Sequence, residues 1–259
     1  MQEIRLLLTA VQYFTRIPMP RWVGHEGAQL SGTTRYFPAI GVAVGAVAAA
    51  VFWAASIVFP PVVAAILSII ATAMLTGALH EDGLADTVDG LGGGHTRERA
   101  LEIMKDPRIG AFGALALMLL LSLKIAALSA LPLTWVVIAL IAGHALSRWC
   151  AVLLIWRLPY ARADSSTRAR PVVERVGRAD VVVATVFGLA PLGVFGLAPL
   201  AAYGATALLG ALAAVLATAL LGTWYSRRLD GYTGDTLGAT QQITEVVFYL
   251  TMLAAWNSR

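Results

Sequence analysis

The chain has 259 residues, of which 58% are hydrophobic and 13% are charged, and its formal net charge is +4. A soluble domain carries about 25% charged residues, so this composition excludes an ordinary water-soluble globular protein. The arginines border apolar runs and do not form a separate basic domain. That distribution argues against nucleic-acid binding and is typical of the cytoplasmic side of a membrane protein.

The elements predicted in chain order are helices that cross a membrane. Three long stretches are almost free of charge, and each is about twice the ~20 residues that one helix needs to span a bilayer: 36–79, 109–156 and 181–226. A proline interrupts each stretch near its middle, and proline begins a helix better than it continues one. Each stretch therefore predicts a helical hairpin. The six predicted spans are 38–59, 61–79, 110–131, 133–155, 181–199 and 201–225, and 246–256 is a seventh span or an interfacial helix.

The predicted fold class is an all-α, polytopic transmembrane bundle of six or seven spans, forming one integral membrane domain over 1–259. The apolar runs lack the alternation that a transmembrane β-barrel requires. Because hairpins return the chain to one face, segments 80–108, 157–180 and 227–245 are expected to share that face with the N-terminal region. Their arginines predict that the face is cytoplasmic, in a bacterial inner membrane.

The first polar segment begins with LHEDGLADTVDGLGGG, residues 79–94. On a helix, Asp82, Asp86 and Asp89 would point the same way, with Glu81 beside them. Like charges at this spacing repel each other, so a cation is expected among them, and Mg²⁺ is commonly held by carboxylates together with substrate phosphates. All four acids are candidate magnesium ligands. The alternative is a solvated loop that ends a span. The glycines that follow predict a flexible loop, either a plain linker or one that exposes N–H groups to phosphate.

Basic residues follow the acids at Arg97, Lys105 and Arg108. Metal-binding acids followed by cations suit phosphoryl transfer, in which the metal and the cations neutralise the phosphates. The alternative is that these cations only set the membrane topology. A second polar stretch, 229–245, predicts substrate or metal contacts for Asp235 and Gln242, with a helix N-cap as the alternative for Asp235.

Four ionisable residues fall within or next to the predicted spans. Lys124 lies near the middle of a span and is expected to pair with an acid. Arg148 is expected to extend its side chain to the membrane interface. His144 is expected to be a hydrogen-bonded interior residue, and His80 is either an interior residue or a substrate contact.

Three motifs in this order resemble the cobalamin synthase family, also called the adenosylcobinamide-GDP ribazoletransferases: HEDGLADTVDGLGGG at 80–94, LEIMKDPRIGAFG at 101–113 and GYTGDTLGATQQITE at 231–245. Shorter motifs extend the resemblance over nearly the whole chain: FTRIP at 14–18, RYFPAIG at 35–41 and RLPYAR at 157–162. Pro107 and Asp230 depart from the family pattern, which affects only local loop geometry.

The resemblance implies a Mg²⁺-dependent integral membrane enzyme that joins adenosylcobinamide-GDP to α-ribazole or its 5′-phosphate, yielding adenosylcobalamin or its phosphate together with GMP. A ribose hydroxyl would attack the phosphorus nearer the corrinoid. Implied Mg²⁺ ligands are Asp82, Asp86 and Asp89, completed by Glu81 or Asp235. Asp89 would also be the general base, and Lys105 and Arg108 would act catalytically on the phosphates. The implied substrate contacts are His80, Arg97, Asp235 and Gln242.

Three other functions compete with this interpretation. A membrane prenyltransferase would have two Asp-rich motifs, whereas the second polar stretch has Asp235 alone at its centre. A CDP-alcohol phosphotransferase would have DGxxAR where this chain has DGLAD. A cation transporter would place its ionisable groups near the bilayer midplane, whereas these acids gather at one face. The expected partners are the two small-molecule substrates and the lipid bilayer, with no nucleic acid, and the sequence leaves open whether the chain forms a homo-oligomer.

Overall fold

The computed structural model describes residues 1–23, 27–162, 176–195 and 201–258. These residues form ten α-helices and no strand, which confirms the all-α class. The helices are α1 (Gln2–Phe14), α2 (Phe37–Ser56), α3 (Pro61–Thr76), α4 (Leu79–Gly93), α5 (Arg97–Ile103), α6 (Ala111–Ala130), α7 (Leu133–Arg157), α8 (Arg178–Phe195), α9 (Ala201–Leu229) and α10 (Gly234–Asn257).

The helix boundaries follow the prolines at two of the three predicted breaks. Pro61 is the first residue of α3, and Pro132 is the N-cap of α7, where its missing N–H costs nothing. The third break, at 196–199, and residues 163–175 of the second polar segment lie outside the described residues. The predicted C-terminal span, 246–256, is the second half of a longer helix, α10.

Four of the described helices are long and apolar enough to cross a membrane: α2 with the turn before it (Gly32–Ser56), α6, α7 and α9 (from Gly204). The bent pair α3 and α4 would make a fifth among the described residues, consistent with the predicted polytopic bundle. The six or seven spans expected also include 181–199 and 246–256, which correspond to α8, as far as it is described, and to the second half of α10. Large apolar side chains cover the outward faces of α6 and α9, as lipid contact requires: Phe112, Leu115, Met118 and Leu119 on α6, and Leu208, Leu212, Leu216 and Leu220 on α9.

Helix α7 lies at the centre of the bundle and packs against α2, α8, α9 and α10. Gly41 and Gly45 on α2 allow its closest approach to α7. A Cβ atom at Gly45 would lie 2.6 Å from the carbonyl oxygen of Leu140, and one at Gly41 would collide with the carbonyl of His144. Small residues four apart are a common way for membrane helices to bring their backbones together.

Helices α3 and α4 meet at a bend of 90°. Gly77 and Ala78, between them, both have left-handed backbone conformations, with φ values of 67° and 56°. A Cβ atom at Gly77 would collide with the guanidinium of Arg16, and the backbone N–H of Arg16 donates to the carbonyl of Leu75 at 2.7 Å. The FTRIP motif thus covers the bend that directs α4 away from α3 and across the ends of α6 and α10.

The three polar segments converge at one end of the bundle, as far as they are described. The backbone N–H groups of Ala161 and Tyr232 donate to the carbonyls of Tyr232 and Pro159, at 2.8 and 2.9 Å. The Arg228 guanidinium donates to the carbonyl of Gly94 at 2.5 Å, which ties the end of α9 to the end of α4. Next to this junction Asp230 has a φ of 58°, a backbone conformation that favours glycine.

Candidate active site at the junction of the polar segments

Helix α4 presents its acids in a gradient of exposure. Asp82 is exposed, Asp86 is half-buried and Asp89 is buried. Burial and the neighbouring carboxylates, Asp82 and Asp235 foremost, raise the pKa of Asp86 to about 7. Helix α4 meets the start of α6 at Gly110 and the first turn of α10 at Asp235, so this cluster lies at the end of the bundle. A carboxyl whose pKa is raised by burial and by neighbouring carboxylates marks a candidate functional site, where a bound cation would relieve the repulsion.

Asp235 joins this group from the first turn of α10. Thr233 is the N-cap of α10 and forms a capping box with Thr236, so the N-cap alternative for Asp235 is wrong. The Asp235 carboxylate instead accepts a hydrogen bond from the Arg162 guanidinium at 2.6 Å. Burial raises the pKa of Asp235, and the charge of Arg162 counteracts that effect. Arg162, the last residue of RLPYAR, therefore belongs to the site.

Asp89 is held differently from the other acids. Its two carboxylate oxygens accept hydrogen bonds from the backbone N–H groups of Gly110 and Gly113, at 2.7 and 2.8 Å. These N–H groups lie at the start of α6, where no intrahelical acceptor exists for them. Asp89 thus caps α6 from α4, and a Cβ atom at Gly113 would collide with its carboxylate. This geometry favours a positioning role for Asp89.

Substituting Asp89 with alanine should lower the free energy of unfolding by about 1–2 kcal/mol, because the first turn of α6 loses its cap. Asp89→Asn retains one acceptor oxygen and should lose about half as much. Thermal unfolding of the detergent-solubilised protein measures both. Equal stability of Asp89→Ala and wild type would contradict the capping role.

Glu81 points away from the other acids of α4 and towards α10. Its Oε1 accepts a hydrogen bond from the Gln242 side-chain amide at 3.1 Å, and its Oε2 is buried without a hydrogen-bond partner in the described structure. Gln242 also accepts from Lys124 Nζ at 2.7 Å. Gln242 therefore links Glu81 to the interior of the bundle. The substrate contact expected for Gln242 stays a prediction.

A network of polar side chains fills the interior beyond Gln242, with Glu245 at its centre. The Glu245 carboxylate accepts from Lys124 at 2.9 Å, from Tyr249 at 3.0 Å and from the Gln241 amide at 2.5 Å, and His144 Nδ1 lies 3.0 Å from it. Lys124, His144 and Glu245 are all buried. The pairing expected for Lys124 and the interior hydrogen bonding expected for His144 are both confirmed.

Arg148 belongs to the same interior, and the prediction that it extends to the membrane interface was wrong. It is 2% exposed, and its Nη1 donates to the carbonyl of His144 at 3.1 Å. Since α7 is surrounded by other helices, the side chain has no route to the interface.

The three predicted phosphate-binding cations differ in their contacts, and their role towards phosphate stays a prediction. Arg97 donates to the carbonyls of Leu229 and Ala161, at 2.9 and 2.5 Å, and so joins α5 to the other polar segments. Arg108 pairs with Asp106 at 2.6 Å on the surface, where it lowers the pKa of Asp106 to about 2. Lys105 is exposed. The glycine run is not a flexible loop either, because α4 continues to Gly93 and Gly94 packs against Ala100.

His80 is buried at the start of α4, with its ring stacked on Phe14 at a centroid distance of 5.6 Å. It lines a cleft of about 190 Å³ whose mouth carries Asp82 and Asp235. A small cavity with aromatic walls that opens beside a carboxylate cluster is suited to a ligand with one apolar and one charged end.

Comparison with known proteins identifies the family. The family model for cobalamin-5-phosphate synthase matches residues 6–253. The chain belongs to the cobalamin-5-phosphate synthase family. An adenosylcobinamide-GDP ribazoletransferase of Shewanella amazonensis is 45% identical, covering 99% of this chain and 97% of that protein. One of Leptothrix cholodnii is 46% identical, over 97% and 96% of the two chains. No solved structure matches.

The resemblance of the three motifs to the cobalamin synthase family is therefore confirmed. The prediction that the chain is an enzyme of cobalamin biosynthesis is confirmed as well. The match includes α4, the RLPYAR turn and α10, the three elements that form the site. The family match disfavours the three alternative functions, namely a prenyltransferase, a CDP-alcohol phosphotransferase and a cation transporter. The motifs of this chain fitted each of them poorly.

The sequence did not single out two residues that the structure shows to be important: Arg162 beside the acid cluster and Glu245 in the interior network. Arg162 was counted only towards the basic face, and Glu245 only as the end of a polar run. Both occur in motifs that carried the family resemblance, RLPYAR and QQITE, and that membership was the signal available for them. Their partners, Asp235 and Lys124, lie 73 and 121 residues away in the chain, so no local pattern pairs them.

Proposed function

We propose that this chain catalyses the joining of adenosylcobinamide-GDP to α-ribazole or its 5′-phosphate, with Mg²⁺ as cofactor and GMP as the second product. A ribazole hydroxyl attacks the phosphorus nearer the corrinoid, the bond from that phosphorus to the bridging oxygen breaks, and GMP leaves with the other phosphate. The reaction takes place at the cytoplasmic face of the inner membrane. The two relatives described above bear the name of this reaction.

The observation that carries the proposal is the convergence of Asp82, Asp86 and Asp235 beside one cleft. A diphosphate is the substrate group that such a cluster suits, because phosphate oxygens share a metal ion with carboxylates. The apolar cleft next to the acids gives the second substrate a place within reach of the phosphorus.

The acids fit Mg²⁺ in their chemistry. No three His, Cys, Asp or Glu side chains form a ready-made metal site in the described ranges. Mg²⁺ does not require one, because proteins commonly hold it with one or two carboxylates, the rest of its shell being water and substrate phosphate. Asp82 and Asp86 are the residues that would hold it, whereas Glu81 is hydrogen-bonded to Gln242 on α10. When bound, Mg²⁺ would neutralise charge on the diphosphate and favour departure of GMP.

The side chains of the site divide the remaining tasks. Asp235 lines the cleft mouth and is placed to accept the proton of the attacking hydroxyl. Arg162 holds that carboxylate in position through its 2.6 Å hydrogen bond. In this scheme Asp89 keeps α6 docked on α4. The proton acceptor thus differs from the one that the family resemblance suggested.

Turnover by the detergent-purified protein tests the proposal. With adenosylcobinamide-GDP and α-ribazole, GMP and a cobalamin product should appear in equal amounts with Mg²⁺ present. Chelation by EDTA should stop both, and added Mg²⁺ should restore them, because the acid cluster leaves the diphosphate charge unneutralised on its own. Undiminished GMP release in EDTA would contradict the metal site, and no GMP from folded protein would contradict the reaction.

A further inference from the structure

The cleft beside the acid cluster is a built cavity with two distinct ends. It lies among α1, α2, α4, α7 and α10. Asp82 and Tyr13, both exposed, are at its outer end. Arg148 and Gln241, at 2% and 1% exposure, lie at its inner end. A ligand that enters therefore leaves its solvated part beside the acids and places the rest within the bundle.

Aromatic rings form much of the cleft wall. Phe14 and Phe37 pack edge to face at a centroid distance of 4.3 Å, and Tyr160 and Tyr232 do so at 5.5 Å. Ala151 of α7 also lines the wall, and its small side chain leaves the space open. Walls of this kind favour a flat aromatic group, which gains ring contacts in addition to burial of its surface.

The inner end offers a hydrogen-bond donor. The Nε–H of Arg148 is buried without a hydrogen-bond partner among the described residues, and the bonds of this side chain that the structure shows use Nη1. A buried donor without an acceptor is costly, and a ligand that brings an acceptor removes that cost.

We propose that this cleft binds the base of the ribazole acceptor, with the ribose at the mouth beside Asp82 and Asp235. This inference rests on the proposed function. The base is a benzimidazole, a flat bicyclic ring with one nitrogen bonded to ribose and the other free to accept a hydrogen bond from Arg148. In this orientation the attacking hydroxyl lies next to the acids that receive the diphosphate.

Size separates the two substrates. An apolar cavity of about 150 Å³ is enough for a benzene ring, so a cleft of about 190 Å³ holds a small bicyclic base. A corrin macrocycle is several times larger and does not fit. The corrinoid part of the other substrate therefore stays outside this cleft.

Ala151→Phe is the variant that fills the cleft. Its dissociation constant for α-ribazole, measured by calorimetry in detergent, should rise by about tenfold or more, and free benzimidazole should compete with α-ribazole on the wild type. The KM for adenosylcobinamide-GDP should stay within about twofold of wild type. Ala46→Phe, an exposed alanine on α2, is the matched control and should change neither constant. Tyr13→Leu at the exposed mouth is a second variant that removes a ring without filling the bundle and should also weaken α-ribazole binding.

The possible results distinguish failure of the cleft assignment from failure of the proposed function. Unchanged α-ribazole binding by folded Ala151→Phe, or by Tyr13→Leu if the first variant does not fold, would overturn the inference, as would a rise in KM for adenosylcobinamide-GDP instead. In both cases wild-type GMP release would leave the proposed function standing. Failure of the wild type to release GMP would overturn the proposed function itself.

Discussion

Asp86→Asn should lower GMP release by roughly a hundredfold to a thousandfold, the loss typical when one electrostatic partner of a reacting group is removed. Asparagine preserves the size of the side chain but removes the negative charge that would hold Mg²⁺ against the diphosphate. The variant should also require more Mg²⁺ for half-maximal turnover. Since Asp86 is repelled by its neighbours, its loss should leave thermal stability unchanged or slightly higher.

The matched control is Asp106→Asn. Asp106 lies in the same polar segment but pairs with Arg108 on the surface, outside the acid cluster. The control should keep nearly full turnover and the wild-type requirement for Mg²⁺. Near-normal activity of Asp86→Asn, or an equal loss in both variants, would refute the assignment of the metal to this cluster.

The second large effect is expected on stability, at Glu245. Glu245→Leu leaves Lys124 buried without its carboxylate and removes the acceptor used by Gln241 and Tyr249. Breaking a buried ion pair from one side costs about 3–5 kcal/mol. The free energy of unfolding, measured by denaturing-detergent titration, should fall by that amount.

A double variant separates the lost pair from other effects. Lys124→Met combined with Glu245→Leu removes both charges and should recover much of the loss, because an apolar pair of similar size is often as stable as a buried ion pair. Glu98→Leu is the surface control, since the Glu98 side chain is 78% exposed, and it should change stability by less than about 0.5 kcal/mol. A double variant no more stable than Glu245→Leu would show that the ion pair is not the source of the effect.

The apolar pattern of the sequence was enough to predict the helical bundle and most helix ends, because lipid forces the backbone into helices and proline marks their starts. It did not reveal the right-angle bend at Gly77 and Ala78, which falls at the end of an apolar run, just before the polar motif begins. Gly77 is an ordinary helix stop in the left-handed conformation, but nothing local indicates that Ala78 adopts this conformation too.

Sequence patterns located the acids of the site and left their tasks undetermined. Helical spacing placed Asp82, Asp86 and Asp89 on one side of α4, yet Asp89 meets the start of α6 and so becomes a cap. Tertiary packing decides which neighbouring helix contacts each residue of a helix. The spacing of residues along one helix carries no information about that neighbour. The cost of burying a charge within a span predicted that Lys124 would pair with an acid. That cost does not identify the acid, so the partner, Glu245, was not predicted.

The bend between α3 and α4 also separates an apolar surface from the carboxylate cluster within one short stretch of chain. Helix α3 turns a stripe of large apolar residues outward, formed by Val62, Ile66, Ile70 and Met74, and at about 1.5 Å per residue it is shorter than the ~30 Å hydrocarbon layer. A short helix in a thicker bilayer changes its tilt or deforms the lipid around it. Because α4 lies at a right angle to α3 and packs against α10 and α6, its acids are held by the end of the bundle and not by the short helix that precedes them.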